Sequence, residues 1–225
     1  MINMENILLL DTSFASFNKG DDIIMECTRK ELGSLLEGNF ELNLPTHVSP
    51  FHWYQVLRAS KSYRTYADCR LKFVGGSNIL VPNLLTHYAQ WNINIFNYHA
   101  LKGTIMVGVG AGAGAESGSN WYTRYIYQHM LNREYYHSAR DERSKIYMES
   151  LGLKAINTGC VTMWILTPEF CSQIPKEKAD KVVFTITSGC FDERDQVMLD
   201  SLLKNYKEVY FWPQGLGDYQ KFLSI

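Results

Sequence analysis

The sequence predicts an α/β fold with a mainly parallel sheet flanked by helices, and three features carry that prediction. Ile7-Leu8-Leu9-Leu10 is an uninterrupted apolar run that stops at Asp11, as a strand covered on both faces does. The period then changes: Ile23, Ile24, Cys27, Leu32, Leu35 and Leu36 recur at helical spacing, with Glu31 the one break in the stripe. The same switch from apolar run to small polar loop recurs twice. Leu71-Lys72-Phe73-Val74 leads into Gly75-Gly76-Ser77-Asn78, and Ile105-Met106-Val107 leads into the glycine-rich run Gly108 to Ala115. Right-handed crossovers in a parallel sheet place such loops together, outside the carboxyl ends of the strands. Asp11, Gly75, Gly110 and Arg140 are therefore expected at one edge.

Each element has its own signal. Asp21 or Asp22 is placed to cap the first helix. Phe40 to Leu44 reads as a short strand ended by Pro45, and Pro50 to Tyr66 as a helix with Trp53, Val56, Leu57 and Ser60 on one stripe. The aromatic and basic residues of that helix suit core packing with a solvated basic face, or a stacking surface for a sugar or base. A helix follows from about Asn120 to Leu131, and Tyr135 to Ala139 is a strand. Asp141 is an N-cap and Gly152 a left-handed stop for the next helix. Lys154 to Ile156 is a short strand, and Pro168 to Pro175 with Lys176-Glu177-Lys178 reads as a linker. Lys181 to Thr187 and Glu208 to Trp212 are strands around a helix capped by Asp192. The expected division is a domain over 1–175 and a βαβ unit over 176–225, which either extends the first sheet or begins a second, truncated domain.

Composition narrows the function classes. The 22 basic and 23 acidic residues balance, so nucleic acid is not an expected partner and any anion site must be local. No apolar stretch approaches the roughly 20 residues of a membrane span. The 5 cysteines are scattered and form no C-x-x-C pair, and no basic residue precedes the first apolar run as in a signal peptide, which together point to the cytoplasm. None of His47, His52, His87, His99, His129 and His137 sits in a recognisable ligand pair, so no metal-ligand residues are assigned, and metal dependence stays open. Gly108, Gly110 and Ala113 satisfy G-x-G-x-x-A, but no helix opens at once and no acid ends the following strand. Nicotinamide binding is not expected, nor any other cofactor.

The loop after the first strand carries Ser16, Asn18, Lys19, Gly20 and Asp21 ahead of a helix dipole, a set able to hold an anion, though without a Walker pattern and with Asp21 and Asp22 opposing a phosphate directly on the helix end. An ordinary capped turn explains the same residues. Gly75 and Gly76 allow close backbone approach, with Ser77 and Asn78 at the tip. Arg140 falls at a strand end facing these loops. It either pairs with Asp141 or Glu142 or presents a planar fork to a phosphate or carboxylate.

Taken together, Asn18-Lys19-Gly20-Asp21, Gly75-Gly76-Ser77, Gly108-Val109-Gly110, Ala139-Arg140-Asp141 with Ser144, Leu151-Gly152 and Pro213-Gln214 resemble the polysaccharide pyruvyl transferase family. The resemblance spans nearly the whole chain. It implies a Rossmann-like domain like the N-terminal half of a two-domain enzyme of the GT-B type. It also implies transfer of the enolpyruvyl unit of phosphoenolpyruvate to a saccharide acceptor as a cyclic ketal. Asn18, Lys19, Gly20, Asp21, Gly75, Gly76, Ser77, Gly110 and Arg140 are the substrate-binding residues it suggests; it assigns no catalytic residue here. The family's second half carries an R-x-H-G-type motif absent from this sequence, so the chain as given is expected to be an incomplete catalyst. A sugar-nucleotide glycosyltransferase half and a non-catalytic domain of the same fold are the alternatives. The oligomeric state stays open, a homo-oligomer included.

Overall fold

The computed structural model describes residues 4–85 and 90–225, and His87 lies outside them. The chain forms two compact units, one of residues 1–16 and 21–165, the other of 17–20 and 166–225.

The first unit is built on β1 (Asn6–Asp11), β2 (Phe40–Pro45), β3 (Leu71–Gly75) and β4 (Thr104–Val107), ordered β2-β1-β3-β4 with every pairing parallel. Both faces of this sheet are covered, which is why β1 is apolar without alternation. Leu8 and Leu10 join Val74, Met106, Trp91 and Tyr127 on one side. Ile7 and Leu9 join Phe73, Val107, Met25 and Leu32 on the other. Met25 comes from α1 (Lys19–Glu31), which is followed by the short α2 (Gly33–Leu36).

The expected cap of α1 is displaced. The helix starts at Lys19, and Asn18 Oδ1 accepts from Gly20 N at 2.9 Å, so Asp21 and Asp22 fall in the first turn. The single helix expected over Pro50 to Tyr66 is two, α3 (Trp53–Leu57) and α4 (Lys61–Ala67). Ala59 takes a left-handed φ of 43° and Ser60 Oγ accepts from Tyr63 N, which ends one helix and opens the other. Phe51 packs against Tyr63 and Tyr66 at ring distances of 5.3 and 5.7 Å, so these aromatics serve the core.

After α5 (Trp121–Met130), the strand expected from Tyr135 is shorter, β5 (His137–Ala139). Asn132 Oδ1 accepts from the amides of Glu134 and Tyr135 and holds those residues in a turn. Then come α6 (Glu142–Ser150), capped by Asp141 and stopped near Gly152 (φ 80°), and β6 (Ala155–Asn157), parallel to β5. One bridge, Val109 to Ala139, joins this pair to the end of β4. Below that bridge a side chain replaces the ladder: His137 Nδ1 accepts from Met106 N at 3.1 Å and Nε2 donates to Asn132 O at 2.7 Å. Only a neutral ring can do both, and burial lowers the His137 pKa despite the opposing pull of the Asn132 carbonyl.

In the second unit the expected linker contains a helix, α7 (Pro168–Ser172). Thr167 Oγ1 accepts from Phe170 N and Pro168 occupies the first turn, so the proline read as a breaker is an opener. β7 (Lys181–Phe184), α8 (Glu193–Asn205), β8 (Glu208–Phe211) and α9 (Leu216–Phe222) follow. β7 and β8 pair in parallel with each other as a separate two-stranded sheet. Phe184, Ile186 and Leu199 form its core with Phe211 and Phe222, whose rings stack at 4.3 Å.

Candidate functional site

In the first unit, parallel pairing brings the carboxyl ends of β1, β3, β4 and β5 to one edge, and there the loops after β3, β4 and β5 are knitted together. Arg140, half-buried at the end of β5, donates from Nη1 to Asn78 Oδ1 at 3.1 Å. A Cβ on Gly110 would lie 2.1 Å from that same oxygen and 2.4 Å from Arg140 Cδ, so glycine is what lets the arginine lie across the loop. The acids next to Arg140 are engaged elsewhere. Asp141 caps α6, and Glu142 takes Lys145 Nζ at 3.0 Å. Among the described residues Arg140 makes no ion pair.

The glycine loop presents no amide to a phosphate over its first stretch. Gly108 N donates to Ser138 Oγ, Val109 N to Ser138 O, Gly110 N to Ser77 O, Ala111 N to Ser144 Oγ and Gly112 N to Leu80 O. Ser144, part of the A-R-D-x-x-S stretch, thus has a definite task. Arg143 adds a bond to the Gly112 carbonyl and an ion pair to Glu116 at 2.6 Å. A helix begins only at Trp121. This geometry differs from that of a dinucleotide fingerprint, whose amides open a helix toward the pyrophosphate.

Gly75 and Gly76 make room for α1. A Cβ on Gly75 would stand 2.7 Å from Met25 Sδ, and one on Gly76, at φ 36°, would stand 1.9 Å from Ile24 Cγ2. Ser77 also holds a left-handed φ of 62°, and its hydroxyl donates to Gln90 Oε1 at 3.0 Å.

The end of β1 is a buried polar cluster, in which the sequence had pointed to Asp11, Ser16 and Asp21 but not to Thr12, Arg29 or Thr46. Asp11 accepts from Ser13 N and Oγ and from Arg29 Nη2, the last at 2.6 Å. Burial opposes its charge, but these bonds outweigh that and leave the Asp11 pKa below the ordinary value. Arg29 is further engaged by Glu41 and Asn43. Thr12, Asp21, Thr46 and His47 are all buried beside it. Ser16 Oγ donates to Asp21 Oδ2, and Thr46 Oγ1 lies 3.2 Å from His47 Nδ1. Burial lowers the His47 pKa and the charge of Asp21 partly restores it. The available signal was a run of polar types, Asp11-Thr12-Ser13 and Thr46-His47, directly after two strand ends.

Asn18, Lys19 and Gly20 belong to the second unit, where Lys19 N donates to Gln214 O at 2.7 Å. A Cβ on Gly215 would lie 3.0 Å from Phe17 O. Two stretches from opposite ends of the sequence, N-K-G and Pro213-Gln214, are therefore neighbours. Their joint presence in one motif set has a structural basis.

A family profile described as polysaccharide pyruvyl transferase matches residues 18–219. The chain belongs to the polysaccharide pyruvyl transferase family. No curated protein and no solved structure is significantly similar to it. Membership carries the class of transferase and the Rossmann-like α/β fold seen here. Among the described residues no helix is long and apolar enough to cross a membrane.

Proposed function

We propose that this chain binds phosphoenolpyruvate and takes part in moving its pyruvyl unit to a saccharide of a cell-surface polysaccharide, and that Arg140 holds the donor. In that reaction the donor methylene gains a proton to become a methyl group. Two acceptor hydroxyls bond to the neighbouring carbon, the C–O bond to phosphorus breaks, and inorganic phosphate leaves with the remaining proton. The donor carries a carboxylate and a phosphate, so the need is fixed positive charge where the leaving group gathers its own.

The observation that carries the reading is a guanidinium at a strand end, aligned by Asn78 over Gly110 and free of any carboxylate among the described residues. The neighbouring acids Asp141 and Glu142 are spent on α6. Ser77 and Gly110 frame this position, and Gly75 and Gly76 set the course of the loop that carries Asn78. Asn18, Lys19, Gly20 and Asp21 are further substrate-binding residues that the family resemblance suggests. We read the first unit as the N-terminal half of a GT-B-type enzyme and residues 176–225 as the beginning of the second. Scattered cysteines support a cytoplasmic site of action.

The test is calorimetric titration of phosphoenolpyruvate and inorganic phosphate into parent and Arg140→Lys. Lysine keeps the charge but not two parallel N–H bonds, so affinity should fall about ten- to hundredfold, or roughly 1.5–3 kcal/mol. Unchanged affinity in a folded variant would refute the assignment.

A further inference from the structure

We infer that the surface around the first turn of α5 is a stacking platform for neutral sugar rings, with Trp121 and Phe96 as its apolar faces and the side-chain amides of Asn83 and Asn94 beside them. The inference rests on the function proposed above, whose saccharide acceptor it takes as the occupant. It gives the rings next to the reacting sugar a place of their own, apart from Arg140.

The placement follows from how α5 is tied down. The carbonyl of its last residue, Met130, accepts from Gly103 N, and Leu131 bridges Thr104, the first residue of β4. The helix therefore ends at the amino end of that strand, and its first turn lies about 13 Å away, on an axis that rises about 1.5 Å per residue. There Asn120 N donates to Pro82 O, Leu84 N to Thr123 Oγ1, and Asn120 Nδ2 to Asn83 Oδ1 at 2.7 Å. Residues 90–97 reach the same place from across the sheet. Gln90 accepts from Ser77, Asn92 N donates to Thr46 O, and Ile95 N donates to the Tyr122 hydroxyl at 3.0 Å. Thr46 and Ser77 follow the carboxyl ends of β2 and β3, so the platform lies on the side of the sheet where Arg140 leaves β5.

Packing uses most of these segments and leaves two rings out. Trp91, Ile93, Tyr98, Ile126 and Tyr127 are buried, whereas Trp121 is 78% and Phe96 55% exposed. Each exposed ring has an amide at its side. Asn83 Oδ1 accepts from Leu85 N and Asn120 Nδ2, and Asn94 Oδ1 accepts from Phe96 N, which fixes the oxygen in both groups. Among the described residues neither Nδ2 has a partner. A pyranose has C–H bonds on its faces and hydroxyls at its rim, so an apolar ring with a neutral N–H donor beside it matches both. Charge then selects among occupants. Residues 82–85, 92–97 and 119–123 include no Asp, Glu, Lys, Arg or His. Nucleic acid and anionic lipid are held through Lys and Arg, which this surface lacks. Two partly covered rings of about 150–250 Å² each also fall short of the ~800 Å² per partner that a stable dimer buries.

The experiment compares parent, Trp121→Ala and Trp121→Phe for binding of cellohexaose, maltohexaose and β-1,4-galactohexaose at millimolar concentration, read by saturation-transfer NMR. Melting temperature is followed in parallel, and phosphoenolpyruvate is titrated separately. The parent should bind at least one hexaose, Trp121→Ala should bind it about tenfold more weakly, and Trp121→Phe should recover most of the loss. Melting should hardly change, because the Trp121 ring is mostly in solvent. A parent that binds no hexaose, or a Trp121→Ala that binds as the parent does, overturns the inference. So does co-sedimentation with phosphatidylglycerol vesicles, or a dimer in sedimentation velocity, that is lost in Trp121→Ala; these would assign the platform to a membrane or to a second copy. Failure of the donor reading shows differently, as phosphoenolpyruvate binding indifferent to Arg140→Lys while hexaose binding still follows Trp121.

Discussion

His137 does at the scale of one residue what strands usually do. With its ring between Met106 N and Asn132 O it must remain neutral, because a proton on Nδ1 would point at an amide hydrogen. Burial depresses its pKa below the ordinary 6.5, so the unfolded chain takes up the proton first as pH falls. Stability is thus full above about pH 6.5 and lost progressively below it. His47 and His99, also depressed by burial first, act in the same sense. Melting curves at pH 7.5 and 5.5 should show the drop. His137→Asn should start from a lower melting temperature and lose less of it between the two pH values; an undiminished slope would show that other groups carry the effect. Nothing in the sequence marked this histidine, because its role depends on a carbonyl and an amide from two other segments.

At the scale of elements, the glycines after β3 are the constraint. Gly76→Ala drives a methyl group into Ile24 and forces a residue with a side chain to hold φ 36°. Overpacking of this kind costs about 1–3 kcal/mol. Pairing it with Ile24→Ala should return part of that loss, which denaturant titration of the four species of a double-mutant cycle can measure; strictly additive losses would mean that backbone strain alone is responsible. Strand existence and order of elements were legible, since a run such as Ile7 to Leu10 suits a strand covered on both faces and the strand-helix alternation around it points to an α/β sheet. Helix limits were less so. Asn18 rather than Asp21 starts α1, Ala59 and Ser60 divide the helix read as one, and Thr167-Pro168 opens a helix where prolines suggested a linker. In each case a short side-chain-to-backbone bond decided against the broader periodic pattern. The gathering of the loops after β3, β4 and β5 at one edge was legible as strand ends, and Arg140 and Gly110 lie together there. Thr12 and Thr46 did not stand out, because they are brought side by side only by the ladder between β1 and β2.

At the scale of the molecule, the two units differ in how much sheet protects them. The first has β1 buried on both faces and flanked on both sides. The second has two strands, with Val183 and Tyr210 exposed on one face. Two-stranded sheets are marginal by themselves. Hydrogen exchange followed by mass spectrometry should find peptides covering Ile7 to Leu10 and Phe73 to Val74 among the slowest, and those covering β7 and β8 opening sooner. Equal protection in both would show that the second unit draws on stabilisation beyond its own strands.

The glycine loop has a consequence for the rate of encounter. Its amides from Gly108 to Gly112 are tied to Ser138, Ser77, Ser144 and Leu80, which belong to separate segments, so the loop cannot rearrange without breaking bonds to several of them. A donor bound at Arg140 as proposed would meet a wall already in its final form. Association then loses no entropy to ordering that wall, and no slow step of loop closure separates collision from capture on this side. Whatever selectivity the wall confers is exercised at first contact, by shape.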